Sequence, residues 1–414
     1  MLGYGVWMSR PLDVAGEFGP ASSLPSLNGY DALLQAQRQL LEANSSLVQH
    51  NFGAVHPVFK GDVLEGTVDT PQMRARWLAE SKEGFATVDR ALQLPFQLPV
   101  FRPKSEDDVR VAALTLRSLA KSLYAKSACQ AEGGDHFGAA QSAIDAIQLG
   151  INMEVNSGVV DALSGMVCES YGRRALGTQI AYLSAPQAAQ LARRLESILA
   201  KRPKYSQIMA GEKIAFAYGA EVQVRDGLQK SISQPDASNP NRYPAWQARL
   251  LLPLSNAITR LGIQSIHEGI DGVLPGADTP WPSRVVLTPA SDDATGKLVA
   301  KLQGSRFFYE RSKTMANQCL IRLALHAHRK ATGAYPQKLE EIVPRYLTGV
   351  PADTFAAAPM RYATANNRYT LWSVGPDARD DGGRPLQDAT KIKREARYLV
   401  RPNSTGDIVA NISV

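Results

Sequence analysis

Apolar residues recur at helical spacing from Glu106 to Arg202. Ala113, Leu116, Ala120 and Leu123 form one stripe, and Phe137, Ala140, Ile144, Ile147 and Ile151 form a second. Between them, Gly133 and Gly134 end one helix and Asp135 caps the next, which predicts an antiparallel helical hairpin. A third helix runs through Val160, Leu163, Val167 and Tyr171. A fourth starts at Ser184 and Pro186 and carries Ala188, Leu191, Leu195 and Ile198. Upstream, Asn28 to Asp31 opens a helix with Leu33, Leu34, Leu40 and Leu41 on its apolar side, and Thr70-Pro71 starts another that carries Trp77, Phe85 and Val88. Residues 11–27, rich in Pro, Gly and Ser, read as a linker. Residues 92–105 hold Pro95, Pro99 and Pro103 and read as an extended connector.

A helix around Gly211 continues through Phe216 and Val222, residues 231–244 are linker-like, and a helix from Trp246 to Leu261 places Leu250, Leu254 and Ile258 on one side. Residues 272–296, dense in Pro and Gly, predict a long surface connection. From Gly304 the chain is helical again with two faces. Met315, Cys319, Leu323 and Ala327 form a core face, and Arg322, His326 and Arg329 read most simply as a solvated basic stripe. Alternation with a period of two appears only after Phe355. Arg361-Tyr362 and Tyr369 to Val374 predict two antiparallel strands, with Asn366-Asn367 at a turn that needs left-handed geometry. Tyr398 to Val400 and Ile408-Val409 are candidate further strands. The expected fold is mainly α, an irregular helical-hairpin array followed by a small α+β module with an antiparallel sheet. The expected divisions are residues 1–27, 28–230, 231–303 and 304–414.

At 414 residues the chain can bury more than one core, and its 44% hydrophobic and 21% charged content is ordinary for a globular protein. The net charge of +7 is concentrated near the C-terminus, in Lys391, Lys393, Arg394, Arg397 and Arg401, without the interleaved aromatics of a base-stacking surface, so no specific nucleic acid is expected. Cys129, Cys168 and Cys319 lie far apart in apolar helical contexts and read as buried thiols. His326 and His328 stand two apart on a helix and cannot chelate one ion. His267-Glu268 lacks the second histidine of a zinc signature, with Asp271 in its place. No run of about 20 apolar residues occurs. The apolar opening MLGYGVWM, ending at Ser9-Arg10-Pro11, reads either as a frayed terminus or as the end of a membrane helix that begins upstream of Met1.

The segment YTLWSVGPDARDDGG, residues 369–383, carries the most chemistry. A strand breaks at Gly375-Pro376 and is followed by Asp377, Asp380 and Asp381 within five positions, then by Gly382-Gly383. Carboxylates so close together repel unless a cation offsets them. Ca²⁺ is one such cation, and Arg379 or Arg384 is another.

Residues 323–383 combine a long helix, Gly-x-Tyr-Pro at Gly333 to Pro336, a short acidic helix, the loop Asp353-Thr354-Phe355 and the strand with its acidic loop; Asp407-Ile408 completes the pattern. In this the chain resembles the globular half of type II secretion major pseudopilins. It resembles more closely the long bacterial envelope proteins that carry this module after an α-helical middle. The resemblance implies Ca²⁺ held by Asp377, Asp380, Asp381 and Asp407. It also implies a membrane-anchored place in the cell envelope, facing the periplasm or exterior, with a protein or envelope polymer as partner. Two departures are a missing pilin-type leader and Ala378 where the loop pattern has Gly.

No G-x-S-x-G, P-loop or dinucleotide fingerprint occurs, so the leading expectation is a non-catalytic envelope scaffold or binding protein. The alternative is a hydrolase with a site between array and module, using Glu212 and a histidine. A third reading is a polyanion-binding module that uses the basic C-terminal segment and the helix face at Arg322.

Overall fold

A computed structural model describes residues 10–20, 23–49, 70–99, 108–234, 243–283, 294–393 and 397–412. The apolar opening before Arg10 and residues 50–69 lie outside these residues. The chain is mainly helical with a small antiparallel sheet at its C-terminal end, as the periodicity predicts.

The first finding departs from expectation. Residues 11–27 contain a short helix, α1 (Val14–Phe18), capped by Asp13, whose carboxylate accepts the Gly16 N–H at 3.1 Å. Its Glu17 pairs with Arg260, and Val14 is buried with Ala217, Tyr218 and Ile263. Tertiary contact thus makes a helix of a segment whose composition favours a linker.

Helix α2 (Gly29–Gln49) buries Tyr30, Leu33 and Leu40 against Phe85 and Val88 of α4 (Lys82–Ala91), with Trp77 of α3 (Pro71–Glu80) closing the cluster. Thr70 caps α3, and Pro71 begins it, as predicted. Helices α5 (Asp108–Glu132) and α6 (His136–Glu154) form the predicted hairpin: Gly134 has φ +83°, and Asp135 accepts the Gly138 N–H at 2.8 Å. Helix α7 (Val159–Gln179) lies unusually close to α6. A Cβ at Gly150 would come within 2.4 Å of the Gly165 carbonyl oxygen, and one at Gly172 equally near that of Ala143. Small residues at these crossings let the two backbones touch. Helix α8 (Ala185–Leu199) opens with a capping box of Ser184 and Gln187. Next come α9 (Tyr205–Ser233), α10 (Ala245–Leu251) and α11 (Ser255–Val273). The last two form one rod interrupted by a 3-10 turn at Leu252–Leu254, so the helix expected to end at Leu261 runs on to Val273.

The spine is α12 (Ala294–Thr332), whose 39 residues extend for about 58 Å at the helical rise. The division expected at residue 304 falls inside this helix. One core holds Ile144, Leu176 and Leu195 of the array, Leu323 and Ala324 of α12, and Met360 and Leu371 of the module. A second core joins Phe355, Val374 and Ile408 to Phe307 and Trp281. Trp281 belongs to the stretch expected to be a surface connection. It is instead 5% exposed and donates its indole N–H to the Pro376 carbonyl at 2.9 Å.

The sheet comprises a short pair, β1 (Ala352–Asp353) with β2 (Ala358–Pro359), and a three-stranded sheet of β3 (Arg361–Ala365), β4 (Arg368–Ser373) and β5 (Ile408–Val409), with β4 central and all pairs antiparallel. Asn366 and Asn367 take φ +52° and +54°, the two left-handed residues of the predicted turn. Tyr398 to Val400 forms no strand; Val400 is buried in the module core. All three cysteines are buried and free. No helix among the described residues is long and apolar enough to cross a membrane.

Candidate anion-binding cleft

The basic stripe on α12 is not solvated on an open face. Arg322, His326, Arg329 and Lys330 line a cleft of about 500 Å³ between the array and the module. Its opposite walls are the end of α7 and the 3-10 turn after it (Gly177, Ile180, Ala181), Tyr369 of β4, Tyr335 and Asn411. Periodicity places Arg322, His326 and Arg329 near one another on α12; the fold adds Lys330 and brings α7 and β4 over them.

Two of these side chains also finish neighbouring structure. Arg322 Nη2 donates to the Gly177 carbonyl at 3.2 Å, and His326 Nε2 lies 2.9 Å from the Leu183 carbonyl. A carbonyl only accepts, so Nε2 carries the imidazole proton. Burial pushes the His326 pKa down, with Arg329 and Lys330 acting in the same direction, so the ring is neutral at neutral pH. Arg329 stands over the Tyr335 ring, 4.9 Å from its centroid, and donates to its hydroxyl at 3.2 Å. The Tyr335 and Tyr369 rings meet edge to face at 4.8 Å.

The charge in this cleft is one-sided. Among the described residues Arg322, Arg329 and Lys330 line it, and no carboxylate does. Among the described residues none of the three cations forms an ion pair. The Nε of Arg322 is buried and has no hydrogen-bond partner, while the rest of its guanidinium also meets the Tyr369 hydroxyl and the Cys319 thiol. A buried guanidinium N–H without an acceptor is costly unless a ligand oxygen satisfies it. Arg329 and Lys330 also sit in the last turn of α12, where cations complement the helix dipole. Arg322 lies two turns farther in and has no such reason to be there.

The acidic residues most perturbed by burial lie elsewhere. Glu154 of α6 and Glu169 of α7, both fully buried, share Arg202: Nε reaches Glu154 Oε2 at 3.0 Å, and Nη2 contacts Glu169. Ser312 of α12 donates to Glu169 at 2.7 Å, and Arg173 pairs with Glu169 as well. Burial raises the Glu154 pKa to about 7 against the pull of Arg202, while Glu169, held by two arginines, is lowered. This network ties α6, α7, α12 and the loop after α8 into one unit. Glu212 lies well inside α9. Its Oε2 accepts the Val159 N–H at 2.6 Å, so it caps α7 from another helix. None of Glu154, Glu169 or Glu212 lines the cleft, so the carboxylate named for the hydrolase reading does not meet His326 there.

The acidic loop gathers the residues named for calcium, but around N–H donors. Asp377 accepts from the backbones of Arg379 and Gly406, both at 3.2 Å. Asp380 accepts from the Trp372 indole and Gly382 at 3.0 Å and from Arg361 at 3.1 Å. Asp407, fully buried, accepts from Asp381 at 3.3 Å and Gly383 at 2.7 Å. Arg361 on β3 pairs with Asp380, and among the described residues neither Arg379 nor Arg384 pairs with these carboxylates. Both oxygens of Asp377, Asp380 and Asp407 are thus engaged, whereas Ca²⁺ requires about six to eight oxygens directed at one point. Among the described residues no group of three or more His, Cys, Asp or Glu side chains is arranged to hold a metal. As folded, these carboxylates serve as acceptors for N–H donors. Ala378 adopts φ +59°, the conformation for which glycine is suited at that position of the pattern.

No family model matches this chain, and neither the curated proteins nor the solved structures contain a match to it. The pseudopilin resemblance rests on its motifs alone.

Proposed function

We propose that the protein is a non-catalytic binding protein of the cell envelope. In this reading the helical array and the C-terminal module together hold a small anionic ligand in the cleft at Arg322. The observation that carries it is the convergence of three cations without a carboxylate or an ion pair, one with a buried, unpartnered N–H. Arg322 and Arg329 suit a carboxylate or a phosphate monoester, whose oxygens accept from a guanidinium fork. Tyr335 and Tyr369 suit a planar or apolar remainder next to the charged group. His326, neutral and engaged with Leu183, shapes the wall without adding charge. The envelope location follows the motif resemblance.

Calorimetric titration with phenyl phosphate, benzoate, inorganic phosphate and uncharged phenol tests this. Phenyl phosphate and benzoate are expected to bind and to raise the melting temperature, more weakly as salt is added, and phenol is expected to do neither. Arg322→Met is expected to abolish binding while the fold persists. If none of the anions binds at millimolar concentration, or if Arg322→Met and Arg329→Met bind like the parent, the proposal fails.

A further inference from the structure

The rod formed by α10 and α11 presents an apolar ridge away from the core. Trp246, Leu250 and Leu254 follow one another at four-residue intervals, and Leu261 returns to the same side at roughly 100° per residue. They are 63%, 66%, 56% and 46% exposed, and Tyr243 just before the rod is exposed too. The opposite side of the rod is the buried one, carrying Ala248, Ile263, Ile266 and Ile270. Four large apolar side chains in one line exceed the scattered exposure normal for a soluble surface.

Two observations indicate what this ridge meets. The first is charge. From Tyr243 to His267 the sequence holds no Asp or Glu, and the exposed Arg249 stands within the ridge's first turns. A Trp, Tyr and Leu surface with Arg249 beside it, and with its first acid at Glu268, two turns beyond Leu261, fits the interface of a bilayer that carries anionic headgroups. The second is the entry of the chain. Arg260 of α11, fully buried, donates to the Arg10 carbonyl at 2.8 Å and the Pro11 carbonyl at 2.6 Å, and it pairs with Glu17. The first described residues, Arg10 and Pro11, are therefore held at the same rod that carries the ridge.

We infer that the α10–α11 ridge is a membrane-docking surface that lies in the plane of an anionic lipid interface, with Trp246, Leu250 and Leu254 inserted among the headgroups. This holds the α1 side of the array to the bilayer whether or not a helix crosses it, and it does not depend on the cleft.

The test is cosedimentation of the full chain with phosphatidylcholine vesicles, with and without about one-third phosphatidylglycerol. The parent is expected to partition onto the anionic vesicles. The triple variant Trp246→Ser, Leu250→Ser and Leu254→Ser is expected to lose about tenfold or more of that partitioning. All three side chains are exposed, so the variant should melt like the parent, and circular dichroism checks this. Trp246→Phe, which keeps a large apolar side chain in the ridge, is expected to retain binding. Absence of vesicle binding overturns the inference, as does equal partitioning of a folded triple variant. A parent dimer that the triple variant converts to monomer, without lipid binding, would instead assign the ridge to self-association and equally overturn it.

Discussion

The Glu212 carboxylate accepts the Val159 N–H at 2.6 Å, which makes it the cap of a helix that begins 53 residues earlier in the chain. The N-cap residue, Gly158, has no side chain to serve its own helix. Burial raises the Glu212 pKa to about 7, with nearby Asp161 acting in the same direction and the Val159 hydrogen bond opposing both. A carboxyl whose folded pKa is raised contributes stability below its unfolded value, and that contribution is lost as pH rises through the folded value. The window thus runs from about 4.5 to about 7. Glu212→Gln keeps an acceptor for Val159 without a charge to bury. Its stability is expected to fall less than the parent's across this window and to exceed the parent's at pH 8 by on the order of 1–2 kcal/mol, allowing for partial exposure. Urea unfolding at several pH values measures this; equal slopes for parent and variant would refute it.

Arg202 is expected to be among the most sensitive positions. Its side chain is 4% exposed and faces two fully buried glutamates. Removing one partner of a buried pair leaves an uncompensated charge, so Arg202→Met should cost about 3–5 kcal/mol. Glu169 retains Arg173, which leaves Glu154 as the orphan. Adding Glu154→Gln to Arg202→Met should therefore recover about half of the loss or more. A double variant no more stable than Arg202→Met would show that the cost lies in packing and not in charge.

Features set by local chemistry were legible in the sequence. Asn366-Asn367, Asp135 after Gly134, Ser184 before Pro186 and Thr70-Pro71 each occupy the predicted turn or cap, because the side chain that decides the backbone lies within a few residues of it. Features set by distant partners were not. Periodicity placed Arg322, His326 and Arg329 together but could not show that α7 and β4 close over them. The helix at Val14–Phe18 depends on Arg260, some 243 residues from Glu17. Trp281 lies in a proline-rich stretch that reads as surface until Phe355 and Pro376 enclose it. The Arg202 network joins residues from four segments, and no spacing announces it.

Ala378 holds φ +59° in a turn where its N–H reaches the Gly375 carbonyl at 3.1 Å. A left-handed alanine costs about 1 kcal/mol that glycine does not. Glycine offsets part of this through greater freedom in the unfolded chain. Ala378→Gly is thus expected to raise stability by roughly 0.5 kcal/mol, and thermal melting at matched conditions reads the sign. A lower melting temperature would mean that the alanine methyl makes a contact outweighing the strain.

The acidic loop sets two expectations against each other. The motif resemblance implies that Ca²⁺ binds at Asp377, Asp380, Asp381 and Asp407 and stabilises the fold by mass action. The geometry instead engages Asp377, Asp380 and Asp407 with backbone, indole and guanidinium N–H groups. The geometry predicts that melting is the same in millimolar calcium and in excess chelator at fixed ionic strength. It also predicts a ranking. Arg361→Ala, which removes a half-exposed pair, should cost at most about 1 kcal/mol. Asp407→Ala, which leaves the N–H groups of Asp381 and Gly383 without their acceptor, should cost about 1–3 kcal/mol. Asp380 has its pKa lowered, chiefly by the Trp372 indole, so its contribution is lost as pH falls below the ordinary carboxylate range. A melting temperature that climbs with free calcium, and that Asp377→Ala makes insensitive to it, would show that these carboxylates exchange their N–H donors for the ion. The resemblance would then prevail over the arrangement described.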